Sequence, residues 1–337
     1  MGTTFHQIKK LVIIMKICFT TYIYGDSYQD YIPLILYSVA RSYPEYSIII
    51  FINGNLRKDI QKALSIIDKF YDKYSIIENT FDDCPMMRSL QAQTFRWVVW
   101  DDRFYDFDYL YYIDSDILYV REPIPLHEQH IRHMQFIGSK KVSNIARKTY
   151  LKNNLTQLAR TALYTGPLNA LKYVLTPYAM RLSGLHFVKV STYFRDLTPT
   201  ILEKYRKSIY DRSIFKKTIY PNDEAVLYKM LEDTGCKMDI FAIQKTSTTM
   251  FGYNNPEKKE FCPHHGVHLG IFRTPVEQLA DWAKAQLDSD DYKFYIQEFQ
   301  RTYLADNAFH KLYPLFASKI QLAIQRMCSY YNITFNE

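Results

Sequence analysis

The sequence predicts an α/β fold, with a mixed, mainly parallel sheet flanked by helices and a helical C-terminal extension. Three observations predict it. Short apolar runs rich in Ile, Phe, Tyr and Val alternate with longer stretches of helical periodicity through the first 120 residues. Alternation of that kind makes a parallel sheet covered on both faces. From Thr274 onward the chain is helical in pattern with few breakers. No repeat or low-complexity linker is visible, so the expected division is one domain over 15–275 and an extension over 276–337.

Residues 1–14 read as an extension ahead of "KICFTTY", the start of a buried first strand. The run "LVIIMKICFTTYI" (11–23) is too short to span a bilayer, contains Lys16 and lacks a small-residue cleavage site. "YQDYIPLILYSVARSYP" (28–44) is a helix closed by Pro44, and "YSIIIFING" (46–54) is a second buried strand stopped by Asn53-Gly54. "LRKDIQKALSIIDKFYDKY" (56–74) has helical spacing, and "YSIIENT" is a third strand. "LQAQTFRWVVWDDRF" (90–104) is expected to be helical, with Trp97 and Trp100 one turn apart as core packing. "FDYLYYIDSDILYV" is then the fourth strand. "ALYTGPLNALKYVL" (162–175) is helical in part, and "RLSGLHFVKVSTYF" (181–194) is a turn and strand with His186 as a core histidine. "YPNDEAVLYKMLEDTG" (220–235) is a helix capped by Asn222 or Asp223 and stopped by Gly235, and "CPHHGVHLGIFRTP" (262–275) is a loop.

Composition narrows the function classes. With 47% hydrophobic and 23% charged residues, the 337-residue chain is not globally disordered. The net charge is +7, and the clusters "SKK" (139–141), "KYRK" (204–207) and "FKK" (215–217) read as scattered. No tract is dense enough for a nucleic-acid arm, whereas a mildly basic surface suits an anionic substrate or an acidic membrane face. The 30 Tyr and 21 Phe indicate an aromatic core or a sugar-facing surface. Five scattered cysteines without a CxxC pair argue against a disulfide framework or a zinc knuckle. They point to a reducing compartment, hence a cytoplasmic location, with peripheral contact on the inner membrane face as a companion expectation. "NLT" (154–156) and "NIT" (332–334) match glycosylation acceptors but carry no weight without a secretory signal.

The chemistry concentrates in "YLYYIDSDILYV" (109–120), an apolar run with Asp114 and Asp116 at its centre. Two like-charged carboxylates are costly to bury without a cation. At the carboxyl end of a parallel strand they would face the ligand crevice, and residues i and i+2 of a strand share a face. A divalent Mn²⁺ or Mg²⁺ bridging to an anionic ligand is the economical partner.

At this point the sequence resembles the nucleotide-sugar glycosyltransferases of the GT-A fold, and most of all glycosyltransferase family 8, the glycogenin and lipopolysaccharide galactosyltransferase group. "KICFTTY" resembles the family's uridine-contacting strand, with Thr20 and Tyr22 at the contacting positions. "QTFRWVVWDDRFYDFDYLYYIDSD" resembles the helix whose arginine, here Arg96, reaches the donor, followed by the DxD strand. "LSGLHFVKVSTYF" resembles the Asn-Ala-Gly strand, with Gly184 at the glycine and Leu182 in place of the asparagine. "NDEAVLYKM" resembles the Asp-Gln helix start beside the donor sugar, at Asp223 and Glu224. "HLGIFR" resembles His-x-Gly-x-x-Lys, with His268 at a third metal ligand, Gly270 near the diphosphate and Arg273 in place of the lysine.

The resemblance implies a metal-dependent hexosyltransferase using a UDP-sugar, galactose or glucose by default, and a glycan or glycolipid acceptor, in bacterial surface polysaccharide synthesis. It leans towards a retaining outcome. Asp114, Asp116 and His268 would hold the metal, although His264 and His265 are alternatives to His268. Thr20, Tyr22, Arg96, Ser115, Gly184, Gly270 and Arg273 would contact the donor. Asp223 would bond sugar hydroxyls, and Glu224 would lie near the anomeric carbon as stabiliser, nucleophile or base. The tail is expected to be a packed cap, with an acceptor-binding lobe or membrane foot as alternatives. Two rivals remain: a sugar nucleotidyltransferase, disfavoured because "TTYIYGDSY" lacks a lysine and has only Gly25, and a non-catalytic nucleotide-sugar-binding protein.

Overall fold

The computed structural model describes residues 15–84, 87–150, 155–218, 220–236, 242–244 and 265–334. The extension 1–14, Asn154, Cys262, Pro263 and His264 lie outside them.

The chain runs from β1 (Ile17–Ile23) through α1 (Asp26–Gln29) and α2 (Ile32–Ser42) to β2 (Ser47–Ile52), then through α3 (Lys58–Ile67) to β3 (Tyr74–Ile77). α4 (Ser89–Phe95) precedes β4 (Tyr109–Tyr112), β5 (Ile117–Tyr119), α5 (Leu126–Phe136), β6 (Val142–Ser143) and β7 (Ile145–Tyr150). Next come α6 (Leu155–Thr165), α7 (Pro167–Leu175), β8 (Tyr178–Leu182), β9 (His186–Lys189), α8 (Val190–Asp196), α9 (Pro199–Tyr210) and α10 (Asp223–Asp233). β10 (Ala242–Gln244), β11 (Gly266–His268), α11 (Asp281–Leu287), α12 (Asp290–Thr302), α13 (Asn307–Leu312) and α14 (Ser318–Tyr330) complete it.

The main sheet has the order β3-β2-β1-β4-β9-β6. β3, β2, β1 and β4 are parallel neighbours, and β9 runs antiparallel to both β4 and β6. It is the mixed, mainly parallel sheet expected. β1 is central and buried at every residue, which is why it reads as an unbroken apolar run. Two small sheets, β10-β7-β8 and β11-β5, lie outside it.

One large apolar cluster joins α2 and the sheet to the C-terminal helices, including Tyr292, Tyr295, Phe299, Tyr303, Phe309 and Ile324. The Tyr37 hydroxyl of α2 donates to Asp306 at 2.7 Å, and Ser42 and Tyr303 share a hydrogen bond of 2.9 Å. The tail is therefore part of the same core. A second cluster on the other sheet face gathers Phe95, Trp97, Tyr112, Phe194 and Leu227.

Four local expectations need correction. The helix expected over 90–104 ends at Phe95, because the side chains of "RWVVW" are drawn into tertiary contacts instead. Trp97 is fully buried and donates its indole N–H to the Asp223 carbonyl at 3.1 Å, while Trp100 packs on the Phe194 ring at 4.6 Å. The fourth strand is two strands, so Asp114 and Asp116 sit in a turn between β4 and β5 rather than on one strand face. The segment after His265 is not loop: β11 pairs antiparallel with β5, His268 opposite Ile117, and a 3-10 turn follows over Leu269–Arg273. "VSTYF" belongs to α8 rather than to a strand. The α10 expectation holds: Asn222 caps it by accepting from the Glu224 and Ala225 amides, and Gly235 stops it at φ 71.

Candidate functional site

A cavity of about 590 Å³ opens where β1 and β4 end. Its wall includes Thr21 and Tyr22 from the end of β1 and Gly25 just after it, Gln93 from α4 and Arg96 at its C-terminal cap, and Asp114, Ser115 and Asp116 from the β4–β5 turn. Asp223 from the first turn of α10, with His268 and Arg273 from β11 and the turn after it, completes it. The carboxyl ends of parallel strands are where α/β sheets bind ligands, because the chain diverges there and leaves a crevice.

The charges in this wall are paired. Arg96 bonds Asp114 through one guanidinium nitrogen and Asp223, at 2.7 Å, through the other. Its guanidinium lies over the Trp97 ring at 4.2 Å, which fixes its plane. Asp116 meets His268 Nε2 at 3.0 Å and accepts from Arg273 at 2.8 Å. Arg273 is held in turn by donating to the Tyr31 hydroxyl at 3.0 Å. Burial would raise the Asp116 carboxyl, but the charges of His268 and Arg273 outweigh it and hold the group well below the usual carboxylate range. Burial would lower His268, yet Asp116 beside it pushes it above an ordinary histidine. Asp223 is raised, chiefly by burial and despite Arg96, because Glu224 and Asp114 crowd it with like charge.

Glu224 is not on the cavity wall. It accepts from the Gly184 amide at 2.8 Å and is gripped by Arg181, with Arg147 at 3.5 Å. These arginines lower it against the opposing effect of burial. They face each other directly across the β7–β8 pair. Opposed like charges destabilise a strand pair, so the carboxylate of Glu224 is what makes that register tolerable.

Eight of the expected site residues line the cavity: Tyr22, Arg96, Asp114, Ser115, Asp116, Asp223, His268 and Arg273. Two glycines stand behind it. A Cβ at Gly270 would collide with Asp116 and come within 3.1 Å of His268 Nε2; one at Gly184 would come within 2.9 Å of Arg96. Thr20 is not on the wall. It is fully buried one residue earlier, and Thr21 lines the cavity instead. His265, the alternative to His268, is buried against Glu122 and His130, away from the wall. Sequence reasoning missed Arg147, Arg181 and Tyr31. Arg181 carried a readable signal, as the lone cation inside the strand "YAMRL"; Arg147, beside Lys148 in "IARKTY", did not stand out.

The donor set suits a hard divalent cation in part. Asp116 and His268 offer one carboxylate and one imidazole side by side, and the missing Cβ of Gly270 keeps the space beside them clear. Asp114 faces Arg96 instead, and among the described residues no three His, Cys, Asp or Glu side chains form a ready-made metal set. Ligand phosphates and water usually complete such a shell.

No known family model matches the chain, and neither does any curated protein sequence. Solved structures similar to it include the galactosyltransferase LgtC in complex with donor and acceptor sugar analogs: 13% identical, spanning 63% of this chain and 69% of that one, TM-score 0.34. The mannosyltransferase Ktr4p from S. cerevisiae is 10% identical over 64% of this chain and 65% of that one, TM-score 0.36. The bifunctional WbbM apo structure is 11% identical over 93% of this chain and 52% of that one, TM-score 0.37. At these TM-scores the functional reading rests on the site's own residues.

Proposed function

We propose that this chain is a metal-dependent glycosyltransferase that moves a hexose from a nucleoside-diphosphate sugar, by default a UDP-sugar, to a glycan or glycolipid acceptor. The observation that carries the proposal is the cavity at the ends of β1 and β4, where the Asp116–His268 pair stands beside Arg273 and faces Tyr22 and Asp223 across one space. A diphosphate fits this arrangement because its negative charge meets a fixed guanidinium and a hard-cation site together. Asp116 and His268 would hold Mn²⁺ or Mg²⁺, which would supply Lewis-acid charge at the diphosphate.

The chain's own residues supply the rest. Arg273, pinned by Tyr31, stabilises charge that develops on the leaving group without having to reorganise. Tyr22 offers an aromatic wall for the nucleoside. Asp223 is the carboxylate of α10 that faces the cavity, so it bonds the sugar hydroxyls. Arg96 holds Asp223 and Asp114 in place. Glu224, tied to two arginines, orients the Gly184 backbone beside the site, and a retaining reaction would have to proceed without it as a free nucleophile.

The test is nucleotide release from a panel of UDP- and GDP-sugars, with Mn²⁺ and then with EDTA, in the wild type and in Asp116→Ala. Release of one nucleotide that stops with EDTA and with the substitution supports the proposal and identifies the donor. Absence of both release and metal-dependent nucleotide binding sinks it.

A further inference from the structure

The six most exposed large apolar side chains among the described residues all lie on the hairpin α6–α7, which connects β7 to β8. They are Leu155 (78% exposed), Leu163 (63%), Leu168 (77%), Leu171 (58%), Val174 (63%) and Leu175 (75%). The helices are turned against their composition. α6 buries Thr161 and Thr165, whose hydroxyl bonds back to the Thr161 carbonyl at 2.7 Å, while its leucines at 155 and 163 face out. α7 buries Tyr173 and exposes the aliphatic residues on either side of it. Six such side chains on one helical hairpin are characteristic of an interaction surface, since each gains about 1.5–3 kcal/mol when removed from water.

Charge identifies the partner. Between Glu128 and Asp196 the chain has no acidic residue, and eleven lysines and arginines fall in that stretch. Part of that excess is neutralised in place, Lys141 and Arg195 by Asp196 and Arg147 and Arg181 by Glu224, and the exposed lysines beside the hairpin carry the rest of the argument. Lys172 is exposed among the leucines of α7, and Lys148 is exposed on β7 with its ammonium 4.6 Å from the ring of Tyr178, just beyond α7. Lys216, whose carbonyl accepts from Asn169 of α7 at 2.7 Å, extends the basic rim. A two-fold dimer through this face would bring like charge against like charge.

We propose that the α6–α7 hairpin is a docking surface for an anionic lipid bilayer, its aliphatic residues entering the interface and its lysines meeting the headgroups. The hairpin is rooted in the two strands whose arginines hold Glu224, so docking brings the membrane to the site's own framework. By contrast the C-terminal helices bury their apolar residues, with Leu315 and Leu322 only 40% and 44% exposed.

Cosedimentation of the full chain with vesicles of phosphatidylcholine, with and without phosphatidylglycerol, tests this without any nucleotide, so it stands or falls apart from the proposed reaction. The wild type is expected to bind the phosphatidylglycerol vesicles alone and to be released by salt. Leu171→Ser combined with Val174→Ser should weaken binding at least about tenfold. Lys172→Ala should weaken it about fivefold, and Leu322→Ser should leave it unchanged. These positions are exposed, so melting curves should match the wild type. Failure to bind phosphatidylglycerol vesicles overturns the proposal, as does equal binding by the double variant. So does a concentration-dependent dimer that the double variant dissolves, because the face then belongs to a second copy.

Discussion

The cavity wall and the interior around β6 and β9 both bury ionisable side chains, and they treat charge differently. At the wall the carboxylates Asp114, Asp116 and Asp223 are each matched to an arginine, as is Glu224 just behind it. In the interior His130 and His133 share the Ser143 hydroxyl at 2.8 and 2.9 Å, His130 meets His265 at 3.1 Å, and His186 meets Asn144 at 2.8 Å. Burial lowers three of these histidines: His130 is pushed well below its ordinary value, His133 down to about 4 and His186 to about 3. At the wall charge is kept by pairing each carboxylate with a cation, whereas burial keeps His130, His133 and His186 from taking a proton.

The largest expected effect comes from unbalancing the wall. Gly270→Ala puts a methyl group against Asp116 and His268, and about 10- to 100-fold loss of metal-supported nucleotide release is expected with the melting temperature little changed. Arg96→Ala leaves Asp114 and Asp223 without their shared cation. Denaturant titration should show a loss of about 2–3 kcal/mol, below the range for a fully buried pair because Asp114 is one-third exposed.

The interior is broken by acid. Unfolded histidine takes up a proton near 6.5, whereas folded His133 and His186 wait until about 4 and about 3. The unfolded state therefore binds more protons in that window, and stability falls as pH drops, by up to about 1.4 kcal/mol per pH unit for each histidine. Asp291 acts in the opposite direction. Burial, with Glu122 and Asp290 nearby, raises it from 3.8 to about 6, so its contribution is present at low pH and lost as pH rises through that range. Asp291→Asn should steepen the acid loss measured by melting between pH 4 and 6; an unchanged slope would break the contrast. The smallest effect marks its limit. The Arg132–Glu128 pair is about half exposed, and Arg132→Ala should change stability by less than about 0.5 kcal/mol.

Much of the fold was legible because its signals are local. β1 to β4 and the helices between them follow period and punctuation, and α10 announces itself with Asn222 and Gly235. The expectation failed at "RWVVW" and at the Asp114–Asp116 turn, where partners distant in sequence reshape the backbone. Arg96, Asp114, Asp116, Asp223, His268 and Arg273 were all readable as residues, and they share one cavity. The roles of Thr20 and Thr21 were not separable, because neighbours on a buried strand look alike until the sheet edge is placed.

The sequence by itself determined the order of the first strands and helices up to β4, the apolar frame around the two acids and the chemistry available to the site. Only the tertiary structure decided which cation meets which carboxylate. His268 lies 152 residues from Asp116, and Arg181 lies 43 from Glu224. Those pairings depend on strand order and register across the sheets, and local periodicity says which face a side chain takes but not which neighbour waits there.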